Sequence, residues 1–349
     1  MHLRVLLLVL LLFSSFVNNK EFKENKENTD AKSYIVLEQK SKTIIEGKDI
    51  YYTQSVASIS KIMTAILAIE NLELKNKIYV DNIIESSYGS SVYLKKGTWI
   101  TTQDLLYGLM LRSGNDCALV LAKAISKSID NFVILMNSKA KEINMKNTIF
   151  NNPHGLDEID GGNISCSYDM ALLQSYALDN EIYRKITSTK SYKSEDYGLW
   201  VNKNKILKQY NLATSGKTGY TKKAKRTLVT SAKLNDLEVI IVTINCGQDF
   251  AFHKKVYEKT FDEYENILVL KKGKNVLLDY EFIVDEDIYY FAKKEELEQS
   301  KLYLEILKNN KVKIYVINGS SKELIYETTY IKQEKELNFL EKIFKYLGL

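Results

Sequence analysis

Three short polar motifs follow one another along this chain of 349 residues, and a fold that uses them as one site must bring distant segments together. They read Ser-Ile-Ser-Lys at 58–61, Ser-Gly-Asn at 113–115 and Lys-Thr-Gly at 217–219. The motifs supply a nucleophile beside an amine, a second hydroxyl beside an amide, and a cation beside a hydroxyl. A serine acyl-transfer site needs those groups when no histidine acts as its base.

Composition argues against several other kinds of protein. The net charge of +5 is small and the lysines are mixed with acidic residues, so we expect no nucleic-acid-binding stripe. Three cysteines without a C-x-x-C pair, Cys117, Cys166 and Cys246, predict neither a disulfide framework nor a zinc site. Since the chain has only three histidines as well, we expect no metal and no cofactor.

The N-terminus has the layout of a secretory signal peptide, which we predict at 1–19. His2 and Arg4 precede an apolar run at 5–13 that is too short to span a bilayer comfortably. The run is followed by small polar residues but by no A-x-A cleavage triplet, so an uncleaved anchor or a buried first element are the alternatives. We expect a flexible charged leader at 20–32 and the rest of the chain outside the cell.

Apolar periodicity predicts a helical middle part. The segment 59–70 is apolar on most sides, which indicates a buried central helix that starts next to the first motif. A second helix at 102–112 is expected to end at Gly114. Further helices are predicted at 117–125, 132–143 and 168–178.

Runs rich in β-branched residues lie on both sides of the helical part. Short ones occur within 33–45, and the runs 227–233 and 237–245 are typical of a hairpin. We therefore predict an α/β domain at 33–263 with one sheet and a helical lobe. The mostly β pattern that follows predicts a small separate domain at 264–334.

The last residues, 335–349, are predicted to form an amphipathic helix. One face would carry Leu340, Ile343, Phe344 and Leu347. Such a helix docks on its own domain or lies in a membrane interface, and its aromatic residue and terminal position favour the membrane.

The serine–lysine pair gains meaning from its context. Ser58 and Lys61 interrupt an otherwise apolar segment, and helical side chains three residues apart share one face. A buried amine loses solvation, its pKa falls, and it can act as a base toward a neighbouring hydroxyl. The alternative is a serine N-cap with a surface lysine, and a second pair with the same spacing, Ser138 and Lys141, shows that the spacing alone is uninformative.

The other two motifs also mean little by themselves. Ser-Gly-Asn at 113–115 is typical of a helix stop and restart, and Lys-Thr-Gly at 217–219 is typical of a turn. With Gly216 the latter begins a phosphate-binding pattern, but that pattern needs glycine where Asn211 stands. We therefore reject phosphate binding, and the specific signal is the joint order of the three motifs.

Three motifs of this kind in this order are already described for penicillin-binding proteins and class A β-lactamases. The chain resembles the D-alanyl-D-alanine carboxypeptidases, the low-molecular-mass penicillin-binding proteins of the S-x-x-K serine peptidase family. The segments that carry the resemblance are 93–97, 104–116, 152–157 and 216–221. It implies an α/β (α+β) transpeptidase-like domain whose antiparallel sheet is flanked by helices, with a small C-terminal β-rich domain.

The resemblance also implies catalytic roles. Ser58 attacks the carbonyl between the two terminal D-alanines of a peptidoglycan stem peptide, and Lys61 takes its proton. Ser113 relays a proton to the leaving D-alanine, while Asn115 holds the substrate amide and orders the lysine. Water then hydrolyses the acyl-enzyme, and β-lactam antibiotics would acylate the same serine.

Substrate binding is implied for the third motif and the residue after it. Lys217 and Thr218 bind the terminal carboxylate or polarise the second serine, and Gly219 completes the motif. Backbone N–H groups of the nucleophile and of Tyr220 form the oxyanion hole. The implied partners are peptidoglycan, β-lactams and, through 335–349, a membrane surface. The implied location is the cell wall or the extracytoplasmic face of the cell membrane. A lysine-rich run after the motif resembles the branch from spore-forming bacteria.

Two departures from the family pattern stand out. Relatives often have Asp-Gly-x before the third motif, whereas Thr-Ser-Gly stands at 214–216. An arginine that some relatives place near the substrate carboxylate has no evident match, since Phe-His stands at 252–253, so more of the carboxylate binding falls to Lys217 and Thr218. We interpret His154, within a family segment, as a loop-ordering residue and not a catalytic one.

Two other functions are compatible with parts of this pattern. A class A β-lactamase needs a deacylating glutamate between the second and third motifs, but the Glu-x-x-Leu-Asn string here spans 334–338, far after Lys217. A non-catalytic wall-binding protein would have no need to keep every catalytic side chain. The sequence therefore favours the carboxypeptidase.

Overall fold

The computed structural model describes residues 29–157 and 162–332 of the chain. The strands are β1 (Ser33–Glu38), β2 (Ile44–Lys48), β3 (Gln54–Ser55), β4 (Lys77–Tyr79), β5 (Trp99–Thr101), β6 (Ile164–Ser165), β7 (Ser191–Ser194), β8 (Gly198–Val201), β9 (Ala213–Thr221), β10 (Lys225–Leu234), β11 (Leu237–Ile244), β12 (Tyr264–Leu270), β13 (Gly273–Leu277), β14 (Tyr280–Val284), β15 (Ile288–Lys293), β16 (Lys301–Ile306), β17 (Lys311–Asn318) and β18 (Ser321–Lys332). The α-helices are α1 (Lys61–Asn71), α2 (Thr102–Tyr107), α3 (Asn115–Ser126), α4 (Ile129–Glu142), α5 (Ser167–Leu178), α6 (Glu181–Ser188), α7 (Ile206–Gln209), α8 (Asp249–Glu263) and α9 (Lys294–Leu297).

A five-stranded antiparallel sheet in the order β2-β1-β11-β10-β9 forms the centre of the molecule. Its middle strands are buried on both faces because helices cover each side. In β11, Ile240 and Val242 pack under the helical lobe, whereas the alternate residues Val239 and Ile241 pack toward α8. Since side chains alternate along a strand, a strand covered on both faces appears in the sequence as an unbroken apolar run.

The helical lobe is built around α1. Residues 61–68 of this helix are all buried, so it has no solvated face, as its all-round apolar sequence predicts. Its neighbours α3 and α5 pack against it within the largest apolar core. The lobe therefore positions the start of α1 next to the sheet, where the third motif lies on β9.

The C-terminal β-rich region has its own apolar core. Five strands form a sheet in the order β13-β14-β18-β17-β16, and β12 pairs with β15. The buried residues of this core are Leu270, Phe282, Val284, Val312 and Ile314. The α/β fold with an antiparallel sheet, a helical lobe and a β-rich C-terminal region is the one that the sequence predicts.

Helix boundaries near the motifs differ from the sequence-based expectation. Ser58 lies in a 3-10 turn, Ala57–Ser60, and α1 begins only at Lys61. The second helix becomes π-helical over Gly108–Arg112, and the residue that ends it in the left-handed conformation is Ser113, with φ of 64°, instead of Gly114. The expectation failed because glycine is the usual residue in that conformation.

Several further elements escaped prediction. Among them are α6, the long helix α8, the β7–β8 hairpin, β15 and β16, whose sequences are short or mix polar and apolar residues without a clear period. The predicted signal peptide at 1–19 and amphipathic helix at 335–349 lie outside the described residues. Within the described ranges, no helix combines the length and the apolar character that crossing a bilayer requires.

We predict that the C-terminal β-rich region can be weakened separately. Phe282 is 2% exposed in its core, and Phe282→Ala should cost about 3–5 kcal/mol because it leaves a cavity. Limited proteolysis should then cut within 264–332 much sooner than within 33–263. The neighbouring Ile283 is 65% exposed, so Ile283→Ala is the matched control and should behave like the wild type. Equally fast cleavage of both parts in Phe282→Ala would contradict separate cores.

Candidate active site

The first motif lies where the 3-10 turn runs into α1. Ser58 is the second residue of the turn and Lys61 the first residue of the helix. The Lys61 side chain is completely buried, and its Nζ donates a hydrogen bond to Ser58 Oγ at 2.9 Å. The hydroxyl and the amine therefore face each other, as their spacing predicts.

Two oxygens from distant parts of the chain hold the amine. Lys61 Nζ donates to Asn115 Oδ1 at 2.7 Å and to the backbone carbonyl oxygen of His154 at 2.5 Å. Burial lowers the pKa of the Lys61 amine well below its usual range, and repulsion from Lys217 and Lys203 lowers it further. An amine with a depressed pKa is more often neutral, and only the neutral form can accept a proton from a hydroxyl.

The second and third motifs meet through a serine–lysine hydrogen bond. The left-handed conformation of Ser113 aims its side chain at β9, and Lys217 Nζ donates to Ser113 Oγ at 3.0 Å. The same amine donates to the carbonyl oxygen of Thr218 at 2.7 Å. Burial, followed by repulsion from Lys203, lowers the pKa of Lys217 to about 7. This lysine is thus placed to give a proton to Ser113 or to stabilise negative charge on its oxygen.

Asn115 is fixed by a loop that precedes it in the chain. Its Nδ2 donates to the carbonyl oxygen of Tyr88 at 2.5 Å, which leaves Oδ1 for Lys61. The adjacent Asp116 accepts hydrogen bonds from the backbone N–H groups of Val92 at 3.2 Å and Leu94 at 3.0 Å. The start of α3 and the loop before it therefore form one hydrogen-bonded unit.

Two glycines allow segments to approach the nucleophile closely. A Cβ on Gly219 of β9 would lie 2.3 Å from Thr227 Oγ1 and 3.0 Å from the backbone nitrogen of Ser58. A Cβ on Gly155, whose φ is 84°, would lie 2.0 Å from the carbonyl oxygen of Ala57. Any larger residue would push β9 or the 154–155 segment away from the reacting groups.

A groove with a volume of about 340 Å³ opens in front of these residues. Its lining comprises Ser58, Ser90, Ser113, Lys203, Lys205, Thr218, Gly219, Tyr220, Arg226, Asp249 and Phe250. Lys217, at 1% exposure, is behind the lining and not in it. The cationic side chains that face the groove are therefore those of Lys203, Lys205 and Arg226, which suits an anionic ligand.

Arg226 is a groove residue that sequence reasoning missed. Its Nη2 and Nε donate to the carboxylate of Asp249 at 2.5 and 3.1 Å, and its guanidinium lies 5.5 Å from the ring centre of Phe250. The Asp249 side chain is 4% exposed whereas that of Arg226 is 44% exposed. The carboxylate thus anchors the arginine from below and leaves part of the guanidinium open to the groove. Arg226 meets Asp249 only because β10 lies beside the start of α8, and the linear sequence does not show this proximity.

The histidines contribute in ways that spacing did not predict. His154 reaches the site through its carbonyl oxygen, and its ring Nδ1 accepts from the backbone N–H of Leu156 at 3.2 Å. His253, on α8, is buried between the hydroxyls of Thr230 and Thr243 at 2.7 and 3.0 Å. Burial lowers the pKa of each ring to about 3, so both rings are neutral at physiological pH.

Residues 29–157 and 162–332 contain no group of three or more His, Cys, Asp or Glu side chains arranged to hold a metal ion. The cysteines Cys117, Cys166 and Cys246 are buried free thiols.

The structure thus brings the three motifs together. The side chains that the sequence nominates for catalysis form two hydrogen-bonded groups. Lys61 joins Ser58 and Asn115, and Lys217 holds Ser113. Both serines line the same groove. Thr218, Gly219 and Tyr220 line the groove beside them. This arrangement excludes the reading of the first motif as an N-cap with a surface lysine.

Comparisons with known proteins agree with this geometry. Residues 20–248 match the protein family described as D-alanyl-D-alanine carboxypeptidase. The chain is 35% identical over 260 residues to the D-alanyl-D-alanine carboxypeptidase DacF of Bacillus subtilis, a match that covers 71% of this chain and 66% of the relative. It is 27% identical over 356 residues to DacA of Escherichia coli, covering 92% and 87% of the two chains.

The fold is shared with solved structures. Penicillin binding protein 5 from Haemophilus influenzae superposes with a TM-score of 0.77 at 22% identity, covering 89% of this chain and 99% of that one. The similarity thus extends through the C-terminal β-rich region. The family match spans more than half of the chain and includes all three motifs, and from this we conclude that the chain belongs to the D-alanyl-D-alanine carboxypeptidase family.

Proposed function

We propose that this chain removes the terminal D-alanine from peptidoglycan stem peptides through an acyl-enzyme on Ser58. The observation that carries the proposal is the Lys61 amine, which is buried, has a depressed pKa and donates to Ser58 Oγ at 2.9 Å. In its neutral form this amine takes the Ser58 proton while Oγ bonds to the carbonyl carbon of the penultimate D-alanine. The role goes to Lys61 and not to a histidine, since His154 meets Ser58 only through its carbonyl oxygen at 3.4 Å.

Departure of D-alanine needs a proton on its nitrogen. Ser113 is placed to deliver it, because its Oγ accepts from Lys217 Nζ and can pass its own proton to the leaving amine. The peptide C–N bond then breaks and an ester on Ser58 remains. Water hydrolyses that ester: its proton goes to Ser113 and replaces the one given to D-alanine, while Lys61 returns the Ser58 proton to the released Oγ, so the enzyme ends in its starting state.

The oxyanion of the tetrahedral intermediate needs hydrogen-bond donors. We assign the backbone N–H groups of Ser58 and Tyr220 to this role. Gly219 supports the assignment, because the absence of a side chain there lets β9 lie close to the Ser58 nitrogen. A Cβ at this position would lie 3.0 Å from the Ser58 nitrogen and would crowd that donor.

The terminal carboxylate of the substrate needs a cation in the groove. Lys217 is buried behind the lining, so we assign the carboxylate to Thr218 Oγ1 and the exposed part of the Arg226 guanidinium. Lys217 then acts through Ser113 and through the electrostatic potential of the groove. This extends the sequence-based assignment, which rested on Lys217 and Thr218 alone.

We further propose that the enzyme works outside the cytoplasm, at the cell wall, since its substrate is peptidoglycan. The predicted signal peptide at 1–19 would export it, and the predicted amphipathic helix at 335–349 would hold it at the membrane surface. Covalent binding of penicillin at Ser58 and a role in spore cortex maturation belong to the same proposal. The spore role rests on the lysine-rich run at 222–226, which resembles the branch from spore-forming bacteria.

Loss of the nucleophile should abolish turnover. Ser58→Ala should lower D-alanine release from a pentapeptide by roughly 10⁴-fold or more and leave no adduct with penicillin by mass spectrometry. The matched control is Ser138→Ala, because Ser138 belongs to the other serine–lysine pair and lies on α4 away from the motif cluster. An undiminished adduct in Ser58→Ala would overturn the assignment of the nucleophile.

The base should show its pKa in the pH dependence of acylation. Lys61 must be neutral to act, so the acylation rate should fall as pH decreases through its lowered pKa. Lys217→Met removes a cation that lowers that pKa, so the pKa of Lys61 should rise and the acid limb should move to higher pH. Rates of penicillin acylation measured against pH test this shift.

The control for that shift is Lys205→Met, which removes a groove cation that does not contribute to the lowered pKa of Lys61. Its acid limb should coincide with that of the wild type. A limb that stays in place in Lys217→Met, or moves equally in both variants, would argue against Lys61 as the base.

Carboxylate binding should depend on Arg226. Replacing Arg226 alone would leave the buried Asp249 carboxylate without its ion-pair partner. The test therefore uses the double variant Arg226→Gln and Asp249→Asn. Loss of a hydrogen bond to a charged group, about 1.5–3 kcal/mol, should lower kcat/KM about tenfold or more, chiefly by raising KM. A control substrate whose terminal carboxylate is an amide should show little difference between wild type and variant. Equal loss on both substrates would indicate a structural role only.

A further inference from the structure

Exposed aromatic side chains lie together outside the groove. Tyr79 on β4 and Trp99 on β5 form a cross-strand pair whose ring centres are 5.3 Å apart at 57°. Tyr79 is 50% exposed and Trp99 is 59% exposed, while the only other tryptophan, Trp200, is 5% exposed. Tryptophan is usually well buried, so an exposed pair of this size is typical of a binding surface.

A third exposed aromatic residue lies in the loop that precedes β5. Tyr93 is 82% exposed and has a φ of 62°, a conformation that non-glycine residues rarely adopt. The residues on either side of it, Val92 and Leu94, are buried, and their N–H groups are held by Asp116. The hydrogen bonds to Asp116 thus hold Tyr93 in an unfavourable backbone conformation that leaves its ring exposed to solvent. We call Tyr79, Tyr93 and Trp99 together the aromatic ridge.

One loop connects the catalytic groove to the aromatic ridge along the chain, since Ser90 of this loop lines the groove. The loop begins at Tyr88, whose carbonyl oxygen accepts from Asn115 Nδ2, and it passes Tyr93 on its way to β5. At its far end Gly97 donates its backbone N–H to the carbonyl oxygen of Val80, next to Tyr79. A ligand that extends from the groove along this loop would therefore meet the ridge.

We propose that the aromatic ridge binds the glycan backbone of peptidoglycan, a polymer of N-acetylated aminosugars, while the attached stem peptide enters the groove. This inference rests on the proposed function. Pyranose rings have C–H faces that pack against aromatic rings, and their hydroxyls stay in water at the edges. The ridge suits such a ligand because the stem peptide is covalently attached to the glycan, so a peptide that enters the groove leaves the sugars on the surface outside it.

The first experiment uses the full-length protein without turnover. Trp99 is exposed and Trp200 is buried, so a β-1,4-linked N-acetylglucosamine hexamer should change the tryptophan fluorescence of the wild type and not that of Trp99→Leu. Co-sedimentation with wall glycan stripped of its stem peptides should likewise fall at least fivefold in Trp99→Leu. The substitution to leucine keeps apolar area but removes the ring.

The control is Tyr303→Leu. Tyr303 is 44% exposed and forms a similar cross-strand pair with Tyr315 in the C-terminal β-rich region, with ring centres 6.2 Å apart. It should sediment like the wild type. Tyr79→Leu serves as a second ridge variant if Trp99→Leu does not fold, and it should lose sedimentation in the same way.

The outcomes separate this inference from the proposed function. Equal sedimentation of ridge and control variants, or no binding of the stripped glycan by the wild type, would overturn the ridge as a glycan site. Stripped glycan has no peptide bond to cleave, so its binding is measured independently of catalytic turnover. If the wild type binds it but releases no D-alanine from a pentapeptide, the inference survives and the carboxypeptidase proposal fails.

Discussion

The arrangement around the active site depends on one desolvated amine. An ammonium group removed from water is unstable unless oxygens surround it, and Lys61 obtains those oxygens from Ser58, Asn115 and the carbonyl of His154. Each partner comes from a different part of the chain. The amine therefore ties the 3-10 turn, the start of α3 and the 154–155 segment into one position, and the same burial that favours its neutral form makes it reactive.

The site lies at the seam between the helical lobe and the edge of the central sheet. The lobe supplies Ser58, Ser113 and Asn115 from three segments, and β9 supplies Lys217. Two buried amines in one small volume repel each other when both are charged, which lowers the pKa of Lys61. Among residues 29–157 and 162–332, no carboxylate is hydrogen-bonded to either amine, so the electrostatic cost of charging both favours the neutral form of Lys61.

The sequence predicts much of this and misses the rest for physical reasons. Local motifs predict a nucleophile and a base, and the all-round apolar sequence of α1 predicts the buried centre of the lobe. The carbonyl of His154 has no sequence signature, because every residue has one. Arg226 gains its place only when β10 and α8 bring it to Asp249, and the left-handed backbone of Ser113 is set by tertiary contacts that override residue preference. The assignments at 1–19 and 335–349 remain predictions.

The left-handed backbone at Ser113 limits which alcohol can serve there. A β-branched side chain fits poorly in that conformation, because its second γ substituent collides with the neighbouring peptide groups. Threonine carries the same hydroxyl as serine, yet it would strain the chain at this point. Either hydroxyl could carry a proton, but the backbone favours serine, so conformation as well as chemistry determines which residue fits at this position.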